Sequence, residues 1–315
     1  MFIRMFSRVS FLIAVVIAMF ASRISGEATR LHKSQKQLVT DVFANYSKYV
    51  RPVEDGNATE VEVFFWPESL IALDETTQSL HLKSTVVLCW SDLSLTWNSS
   101  EYDDINILFY PQSQLWLPPV KIGPSTTKQD QLGFDENLVG LIGDSGGLYW
   151  QFEAATETEC EIDVTLYPFD TQTCTINLDF APMNKEFLEL QPREANEVKR
   201  KFAVGGTWQL LGMRCYRYSD ELTAGIAYVL SLKRRTTFYL LNIVLPVISL
   251  SFTASVVFIV PAEAGEKMGF SITILLAYSV YLSIIADNLP QTSVQICYLQ
   301  VYLTFLLGVT AGEKL

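Results

Sequence analysis

An uninterrupted apolar run in the C-terminal third constrains the fold of this chain most strongly. Residues 238–260 contain no charged side chain over 23 positions, which is long enough for a helix to cross a bilayer. Pro246 lies within the run, and a proline kink is tolerated in a membrane helix. Two further apolar segments, 268–286 and 294–312, follow after short linkers, so we expect three transmembrane helices packed as hairpins.

The N-terminus has the pattern of a secretory signal peptide. Arg4 and Arg8 precede an apolar run over residues 11–20, and small residues close the segment. We therefore predict a signal peptide over residues 1–26. An uncleaved anchor is the alternative, although the apolar run is shorter than the roughly 20 residues that a spanning helix needs.

Three N-glycosylation sequons follow this segment, beginning at Asn45, Asn57 and Asn98. Their agreement with a signal peptide predicts an extracellular domain that matures in an oxidising compartment. Three membrane crossings after that domain would leave the C-terminus in the cytoplasm. We therefore expect a multi-pass protein of the plasma membrane with its N-terminal domain outside.

Apolar and polar residues alternate with a period of two between residues 60 and 235, which is typical of β-strands. The clearest runs are residues 61–65, 80–86, 174–178 and 226–232. Apolar residues at helical spacing over 35–55 predict one short helix before them. The fold class we expect is a mainly β sandwich over residues 27–235, followed by an all-α transmembrane bundle.

The charge balance argues against a nucleic-acid partner. The chain has 34 acidic and 23 basic residues, and the resulting net charge of -11 repels phosphate backbones and attracts cations. Its two histidines, His32 and His81, lack the spacing of a zinc site, and no nucleotide-binding loop occurs. Residues 143–147 are similar to a serine-protease motif but have no well-placed histidine. We expect neither a cofactor nor enzymatic activity.

Several short motifs occur in a fixed order along the chain. Cys160 and Cys174 enclose thirteen residues with Tyr-Pro-Phe-Asp near the middle. Around this loop stand Leu95-Thr-Trp97-Asn98 with Glu101-Tyr102, Leu115-Trp116-Leu117-Pro118, Lys233-Arg-Arg-Thr-Thr-Phe238-Tyr239 and Gly265-Glu266-Lys267. This order resembles the Cys-loop family of pentameric ligand-gated ion channels, and in particular its nicotinic acetylcholine receptor subunits. The resemblance implies a disulfide between Cys160 and Cys174, which would stabilise the fold by roughly 3 kcal/mol.

The second apolar segment carries residues at steps of three or four, which places them on one helix face. These residues are Glu266, Gly269, Thr273, Leu276, Val280, Ile284 and Asp287. The resemblance implies that five such faces line a pore, where carboxylate rings attract cations and an apolar girdle closes by dewetting. Anion-selective members carry Pro-Ala-Arg where this chain has Gly-Glu-Lys, so the resemblance favours cation selectivity. The alternative is that the stripe merely packs against neighbouring helices.

The resemblance also implies where the extracellular domain contacts the membrane helices. The turn formed by Tyr167, Pro168, Phe169 and Asp170 is expected at the membrane-facing end of the sandwich. Its expected neighbours are Arg234 and residues 288–293, which include Pro290. This arrangement would couple the ectodomain to the pore, and a role in folding alone is the alternative.

Nicotinic receptors hold a quaternary ammonium in an aromatic cage, and most cage positions are changed in this chain. The expected tryptophans fall on Ala181 and Thr85, and an expected tyrosine falls on Gly123. The remaining candidates for ligand binding are Thr85, Trp116, Phe180, Tyr216 and Tyr218. The two tyrosines can equally be strand-packing residues. We therefore expect a ligand other than acetylcholine, unless a neighbouring subunit supplies the principal face.

Together these patterns predict a nicotinic-like subunit of a ligand-gated cation channel at the plasma membrane, postsynaptic in position. Its expected partners are homologous subunits in a homo- or heteropentamer, a small extracellular ligand, permeant monovalent cations and membrane lipid. The alternatives are a non-conducting modulatory or dominant-negative subunit and a chemosensory receptor for apolar ligands. The sequence stops at Leu315, whereas family members continue to a fourth helix, so we expect an incomplete or truncated subunit. Cys89 and Cys215 make the number of ectodomain cysteines even, which permits a second disulfide.

Overall fold

The computed structural model describes most of the extracellular domain and the three apolar segments. The described residues are 29–53, 56–123, 137–180, 186–193, 202, 206–219, 224–257, 267–290 and 295–312. The predicted signal peptide over 1–26 and the predicted pore residue Glu266 lie outside them, as does Ala181.

The extracellular domain is a sandwich of two sheets preceded by a helix, α1, over residues 29–42. The described strands are β1 Thr59–Asp74, β2 Ser79–Ser91, β3 Ile107–Pro111, β4 Val120–Gly123, β5 Leu138–Ile142, β6 Gly147–Glu159, β7 Thr171–Phe180, β8 Leu188–Arg193, β9 Trp208–Ser219 and β10 Ala224–Arg234. Six of them form one sheet in the order β3-β5-β6-β2-β1-β8, and four form the other in the order β4-β7-β10-β9.

The period-two pattern assigns each strand one face to the core and one face away from it. In β1, Val61, Val63 and Phe65 are fully buried, whereas Phe64 and Trp66 on the opposite face are half-buried. Tyr228 of β10 crosses the core and donates its hydroxyl to the Val63 carbonyl at 3.3 Å. The two sheets therefore share one core, and the predicted β-sandwich is confirmed.

The first apolar run forms a helix, α2, that is not regular throughout. It begins at Thr237–Tyr239, widens into a π-helical turn over Leu240–Val244 and continues as an α-helix over Leu245–Val257. Pro246 explains the widening, because proline lacks an N–H and its ring would clash with the carbonyl four residues earlier. That residue, Asn242, lies within the π-helical turn and donates its side-chain amide to the Phe238 carbonyl at 2.8 Å.

The remaining described helices are α3, Lys267–Asp287, and α4, Tyr298–Gly312. By length and hydropathy, Thr237–Val256 and Gly269–Asp287 can each span a membrane. The apolar helix Tyr298–Ala311 is shorter than a full span, so a third crossing stays a prediction. The fold class is confirmed as a β-sandwich extracellular domain followed by helices, two of them apolar enough to cross a membrane.

The three helices pack together through one side of α3. Ile274, Tyr278 and Ile285 on that side are almost completely buried. Helix α4 also contacts α2 directly, since the Tyr302 hydroxyl donates to Ser251 Oγ at 3.1 Å. The predicted hairpin packing of the helices therefore agrees with the structure.

The cysteines of the sandwich are only partly joined. Cys160 and Cys174 form a disulfide with an S–S distance of 2.03 Å, as the resemblance implied. Cys89 and Cys215, on β2 and β9, are not joined to each other. Cys89 carries a free thiol on the outward face of β2, opposite Glu62 of β1. The second disulfide that the even cysteine number permits does not form.

Candidate functional site at the junction of the sandwich and the helices

Arg234 occupies the junction between the two parts of the molecule. It is the last residue of β10 and lies three residues before α2 begins. Although arginine is normally exposed, Arg234 is only 2% exposed. A charged side chain buried this deeply needs compensating partners, and the surrounding residues supply them.

Two carboxylates bind the guanidinium of Arg234. Its Nε donates to Asp170 Oδ1 at 2.7 Å and its Nη2 to Asp170 Oδ2 at 2.9 Å, a bidentate pair. Its Nη1 donates to Glu75 Oε1 at 2.6 Å and to the Tyr239 hydroxyl at 3.1 Å. Arg234 therefore joins the disulfide loop, the β1–β2 turn and the start of α2.

Three aromatic rings surround the same guanidinium. Its central carbon lies 4.2 Å from the centre of the Trp208 ring and 5.0 Å from the centres of both Tyr167 and Tyr239. Rings at such distances attract a cation through their negative faces, and more strongly when water is excluded. Burial alone would lower the pKa of Arg234, but the hydrogen bonds and charges of Asp170 and Glu75 outweigh it and raise the pKa. Arg234 therefore remains charged.

The disulfide loop holds Asp170 in place through a second buried polar side chain. Gln172 is 1% exposed, accepts from the Asp163 backbone N–H at 2.8 Å and donates to the Asp163 carbonyl at 2.8 Å. The same amide donates to Asp170 Oδ2 at 2.5 Å. Gln172 therefore holds the interior of the loop in addition to the disulfide. The Asp170 carboxylate is hydrogen-bonded by Gln172 as well as by Arg234.

The loop also contacts the chain just before α4. The Val164 backbone N–H donates to Gln295 Oε1 at 3.1 Å, and the Tyr298 N–H donates to the Thr165 carbonyl at 3.2 Å. The turn was predicted to lie near residues 288–293, of which 291–293 are outside the described part of the chain. Pro290 is buried just after α3 ends. The predicted proximity to Arg234 is present, and the described contacts to the helices involve Gln295 and Tyr298.

The apolar tip of this turn is not part of the junction core. Tyr167 is 4% exposed and packs edge-on against Tyr239 at 5.6 Å, next to Pro168, with which it forms a cis peptide bond. Phe169 and Leu166 are 56% and 60% exposed. Leu166 and Phe169 therefore form an exposed apolar tip on the turn, next to the buried Tyr167.

Sequence reasoning missed several residues of the junction, including Glu75, Trp208, Gln172 and Gln295. Glu75 lies in the tight turn between β1 and β2, and its sequence position alone does not link it to Arg234. That turn lies beside the start of the disulfide loop, since the Cys160 N–H donates to the Gln78 carbonyl at 2.8 Å. Trp208 and Gln295 come from distant parts of the chain, and their positions depend on tertiary packing.

The predicted pore stripe lies on the side of α3 that faces away from α2 and α4. Leu276, Val280 and Ile284 are 65%, 50% and 44% exposed, and Gly269, Thr273 and Asp287 are exposed too. On a helix that can span a membrane, apolar side chains exposed in a single chain are covered by lipid or by another subunit, and Phe270 and Ile272 outside the stripe are exposed as well. The role of the stripe as a pore lining stays a prediction.

Three candidate ligand residues, Tyr216, Tyr218 and Phe180, lie on the four-stranded sheet, Thr85 lies on the six-stranded sheet, and Trp116 precedes β4. On the four-stranded sheet, Tyr216 is 53% exposed, and the Tyr218 hydroxyl donates to Asp179 Oδ2 at 3.3 Å. Burial raises the pKa of Asp179, and the bond from Tyr218 opposes that rise. Phe180 is buried in the core, and Trp116 packs edge-on against Trp90 at 6.2 Å. Of these residues, Tyr216 is exposed, Tyr218 and Trp116 are half-buried, and Phe180 is buried.

On the six-stranded sheet, Thr85 is buried and donates its hydroxyl to Glu68 Oε1 at 2.5 Å. Trp66 of β1 lies directly opposite Thr85 and shares its face of the sheet. The Trp66 ring stacks on Phe64 with 5.6 Å between the ring centres. Sequence reasoning missed this aromatic pair because it searched β2 at the Thr85 position and not the neighbouring strand. An aromatic surface therefore stands beside the position where a tryptophan was expected.

These features define a class of membrane protein in which an extracellular sandwich is tied to apolar helices by a buried charged junction. The model of the neurotransmitter-gated ion-channel ligand binding domain matches residues 35–236, and that of the neurotransmitter-gated ion-channel transmembrane region matches residues 243–311. The chain therefore belongs to the neurotransmitter-gated ion-channel family, as a divergent subunit of the Cys-loop receptor type. This is a family of ligand-gated ion channels and not of enzymes.

Acetylcholine receptor subunits are among its relatives. The chain is 29% identical to the acetylcholine receptor subunit delta of Xenopus laevis, over 87% of this chain and 57% of the relative. It is 31% identical to the acetylcholine receptor subunit beta-like 1 of Drosophila melanogaster, over 87% of this chain and 54% of the relative. The neuronal subunit alpha-10 of Rattus norvegicus is 29% identical, with 86% and 61% covered. The chain thus spans a little over half the length of these relatives.

Proposed function

We propose that the chain is a subunit of a pentameric cation channel opened by an extracellular small molecule at the plasma membrane. The observation that carries this proposal is the Arg234 junction, where one buried cation holds the disulfide loop, the β1–β2 turn and the first membrane helix together. Its partners would be homologous subunits, membrane lipid, monovalent cations and the ligand. Extracellular glycans on Asn45, Asn57 and Asn98 fit the exposure of all three side chains.

In the proposed mechanism, the junction transmits movement of the sandwich to the helices. The Arg234 guanidinium is hydrogen-bonded to both Asp170 and Tyr239. If Asp170 moves and Arg234 moves with it, Tyr239 must move too or lose its hydrogen bond. The disulfide loop adds a second path through Gln295 and Tyr298 at the start of α4. The disulfide loop is thus connected to α2 through Arg234 and to α4 directly. A displacement of the loop would rotate or tilt both helices and so move α3, which packs against them.

The exposed stripe of α3 would line the pore. Its apolar residues Leu276 and Val280 would form the girdle that dewets in the closed state, and its end at Asp287 would add a ring of carboxylates. Glu266 would form a second ring at the other mouth. Rings of negative charge at both mouths favour cations over anions.

The ligand site we propose lies between two subunits, with a changed aromatic cage. Tyr216 and Tyr218 lie on the outward face of one sheet, and Trp66 and Thr85 on the outward face of the other. Outward faces of the two sheets point to opposite sides of the sandwich, so these surfaces cannot form one pocket within a single chain. A second subunit must supply one of them, and Trp66 would then replace the aromatic ring that Thr85 lacks.

Recording without any ligand tests the channel assignment. The full chain carrying Leu276→Ser would be expressed with nicotinic acetylcholine receptor subunits, with Leu275→Ser as the matched control. Leu276 is on the exposed stripe and Leu275 is partly buried beside it, so only the first change wets the girdle. We expect ligand-independent current from Leu276→Ser alone at equal surface expression. Equal currents from the two variants, or none from either, would refute the assignment.

A further inference from the structure

A groove of about 770 Å³ lies on the outward face of the six-stranded sheet, far from the junction. It is lined by the ends of β1, β2 and β6 that are opposite the β1–β2 turn. Its lining includes Glu60, Glu62, Cys89, Tyr149 and Glu189, and Asn57 stands at its edge. The groove therefore combines hydrogen-bonding groups, an aromatic ring, a free thiol and the first residue of a sequon.

The carboxylates of this groove do not make it a cation site. Glu62 is paired with Arg193 across the sheet edge, and Glu189 Oε1 accepts from Arg217 Nη2 at 2.6 Å. With two of the three carboxylates already paired with arginines, the groove offers mainly acceptors that are held in place. A neutral ligand rich in hydroxyl groups matches such a lining better than a cation does.

Tyr149 supplies a rigid aromatic wall. Its ring lies over Gly140, where a Cβ atom would come within 2.1 Å of it, and Phe109 packs edge-on against it at 6.1 Å. A sugar ring presents C–H groups on its faces and hydroxyls at its rim. A sugar can therefore contact an aromatic ring through its C–H groups and hydrogen-bond carboxylates through its hydroxyls.

The attachment point for such a sugar is fixed at the groove. Asn57 is exposed, and its carbonyl accepts from Arg51 Nη1 at 3.3 Å. Thr59, the third residue of the sequon, is buried and donates its hydroxyl to the Pro52 carbonyl at 2.5 Å while accepting from Arg51 at 2.7 Å. Arg51 thus holds both ends of the sequon, so a glycan on Asn57 would start from a defined position beside the groove.

We infer that the N-linked glycan of Asn57 packs into this groove and covers the Cys89 thiol. The inference rests on the proposed extracellular location, which the sequon requires. Covering Cys89 has a chemical purpose in an oxidising compartment, where an accessible thiol on an outward sheet face would form disulfides with other chains. Burial raises the pKa of Cys89, and the charge of Glu62 raises it further, so less of it is the reactive thiolate.

The rate at which Cys89 is alkylated tests this inference. Cells expressing the full chain would be treated with a membrane-impermeant maleimide, and modification of the Cys89 peptide would be followed by mass spectrometry. The variants are Asn57→Gln and, as the matched control, Asn45→Gln, which removes a sequon at an exposed residue outside the groove lining. Changing Thr59 would be a poor choice because its hydroxyl is part of the fold. Enzymatic deglycosylation of the folded wild-type chain gives a second test without a mutation.

We expect Asn57 to carry a glycan, and both its removal by Asn57→Gln and by enzyme to raise the Cys89 alkylation rate several-fold. Asn45→Gln should leave the rate unchanged. Cys297 is 2% exposed and reports on unfolding, so its modification should stay low throughout. If Asn57→Gln increases the modification of Cys297, the variant has partly unfolded, and the Cys89 rate after enzymatic deglycosylation of the wild-type chain is used in its place. An unglycosylated Asn57, or a Cys89 rate that glycan removal does not change, would overturn the inference. Neither result depends on whether the chain forms a channel.

Discussion

Arg234 and Asp170 meet through two parallel hydrogen bonds of 2.7 and 2.9 Å, although both residues are almost completely buried. The pair joins the end of the last strand to the disulfide loop at the base of the sandwich. A buried ion pair adds little net stability compared with well-packed apolar residues in its place. Removing one partner is nevertheless costly, because the other charge is left buried and unpaired. The pair is therefore best understood as a fixed connection between two parts of the molecule.

Removing one partner of this pair should destabilise the protein strongly. For Asp170→Asn we expect a loss of about 3–5 kcal/mol, because the Arg234 charge stays buried without its bidentate partner. The matched control is Glu189→Gln, which breaks an exposed pair with Arg217 whose contribution is about 0–1 kcal/mol. Thermal unfolding of the full chain in detergent should show a large fall in melting temperature for the first variant and little change for the second. Equal shifts would contradict the account.

The disulfide between Cys160 and Cys174 should stabilise the folded protein by cross-linking the loop. Replacing Cys160 and Cys174 together by serine should cost roughly 3 kcal/mol, because the unfolded chain then regains its loop freedom. Cys89→Ser removes a cysteine that forms no disulfide and serves as the control. Surface expression and melting temperature measure both variants. A double variant as stable as Cys89→Ser would show that the loop is held by its internal hydrogen bonds alone.

The β1–β2 turn should make stability depend on acid pH through Asp74. Hydrogen bonds from the Thr76 hydroxyl, and from the backbone of Thr77 and Thr76, lower the pKa of Asp74 to about 2 from its ordinary value of 3.8. Since the folded pKa is below the unfolded one, this contribution is present above pH 3.8 and is lost as the pH falls towards 2.

Melting temperatures of the wild-type chain and Asp74→Asn, compared between about pH 5 and pH 2, test this prediction. The advantage of the wild-type chain should shrink as the pH falls, because protonated Asp74 loses its preference for the folded state. Glu75 lies next to Asp74 and binds Arg234, so its position should respond to the same change. A difference that is constant over this pH range would contradict the assigned hydrogen bonds.

The strands and the first two membrane helices could be predicted from sequence because their patterns are local. Alternation in β1 and the charge-free run of α2 each reflect one environment along a continuous segment. The Cys160–Cys174 disulfide and the proximity of Asp170 to Arg234 depended on the resemblance to known channels. Spacing alone would not have fixed either.

The remaining parts of the site could not be predicted, because they depend on residues that only tertiary packing brings together. Trp208 reaches Arg234 through the pairing of β9 with β10, and Gln295 reaches Val164 from the segment that precedes α4. Trp66 was missed for the related reason that its relation to Thr85 is a matter of strand register. Each of these contacts lies across strands or domains and leaves no local signature.

Ion selectivity tests the central claim, that this chain contributes the pore of a cation channel, most directly. The measurement is the reversal potential of the ligand-independent Leu276→Ser current while external sodium chloride is replaced stepwise by an uncharged osmolyte. The carboxylates proposed at the two mouths predict a shift to negative potentials, following the sodium equilibrium potential, and a smaller shift when Asp287 is changed to Lys in the same chain. A shift to positive potentials, following chloride, or one that Asp287→Lys leaves unchanged, would contradict the account.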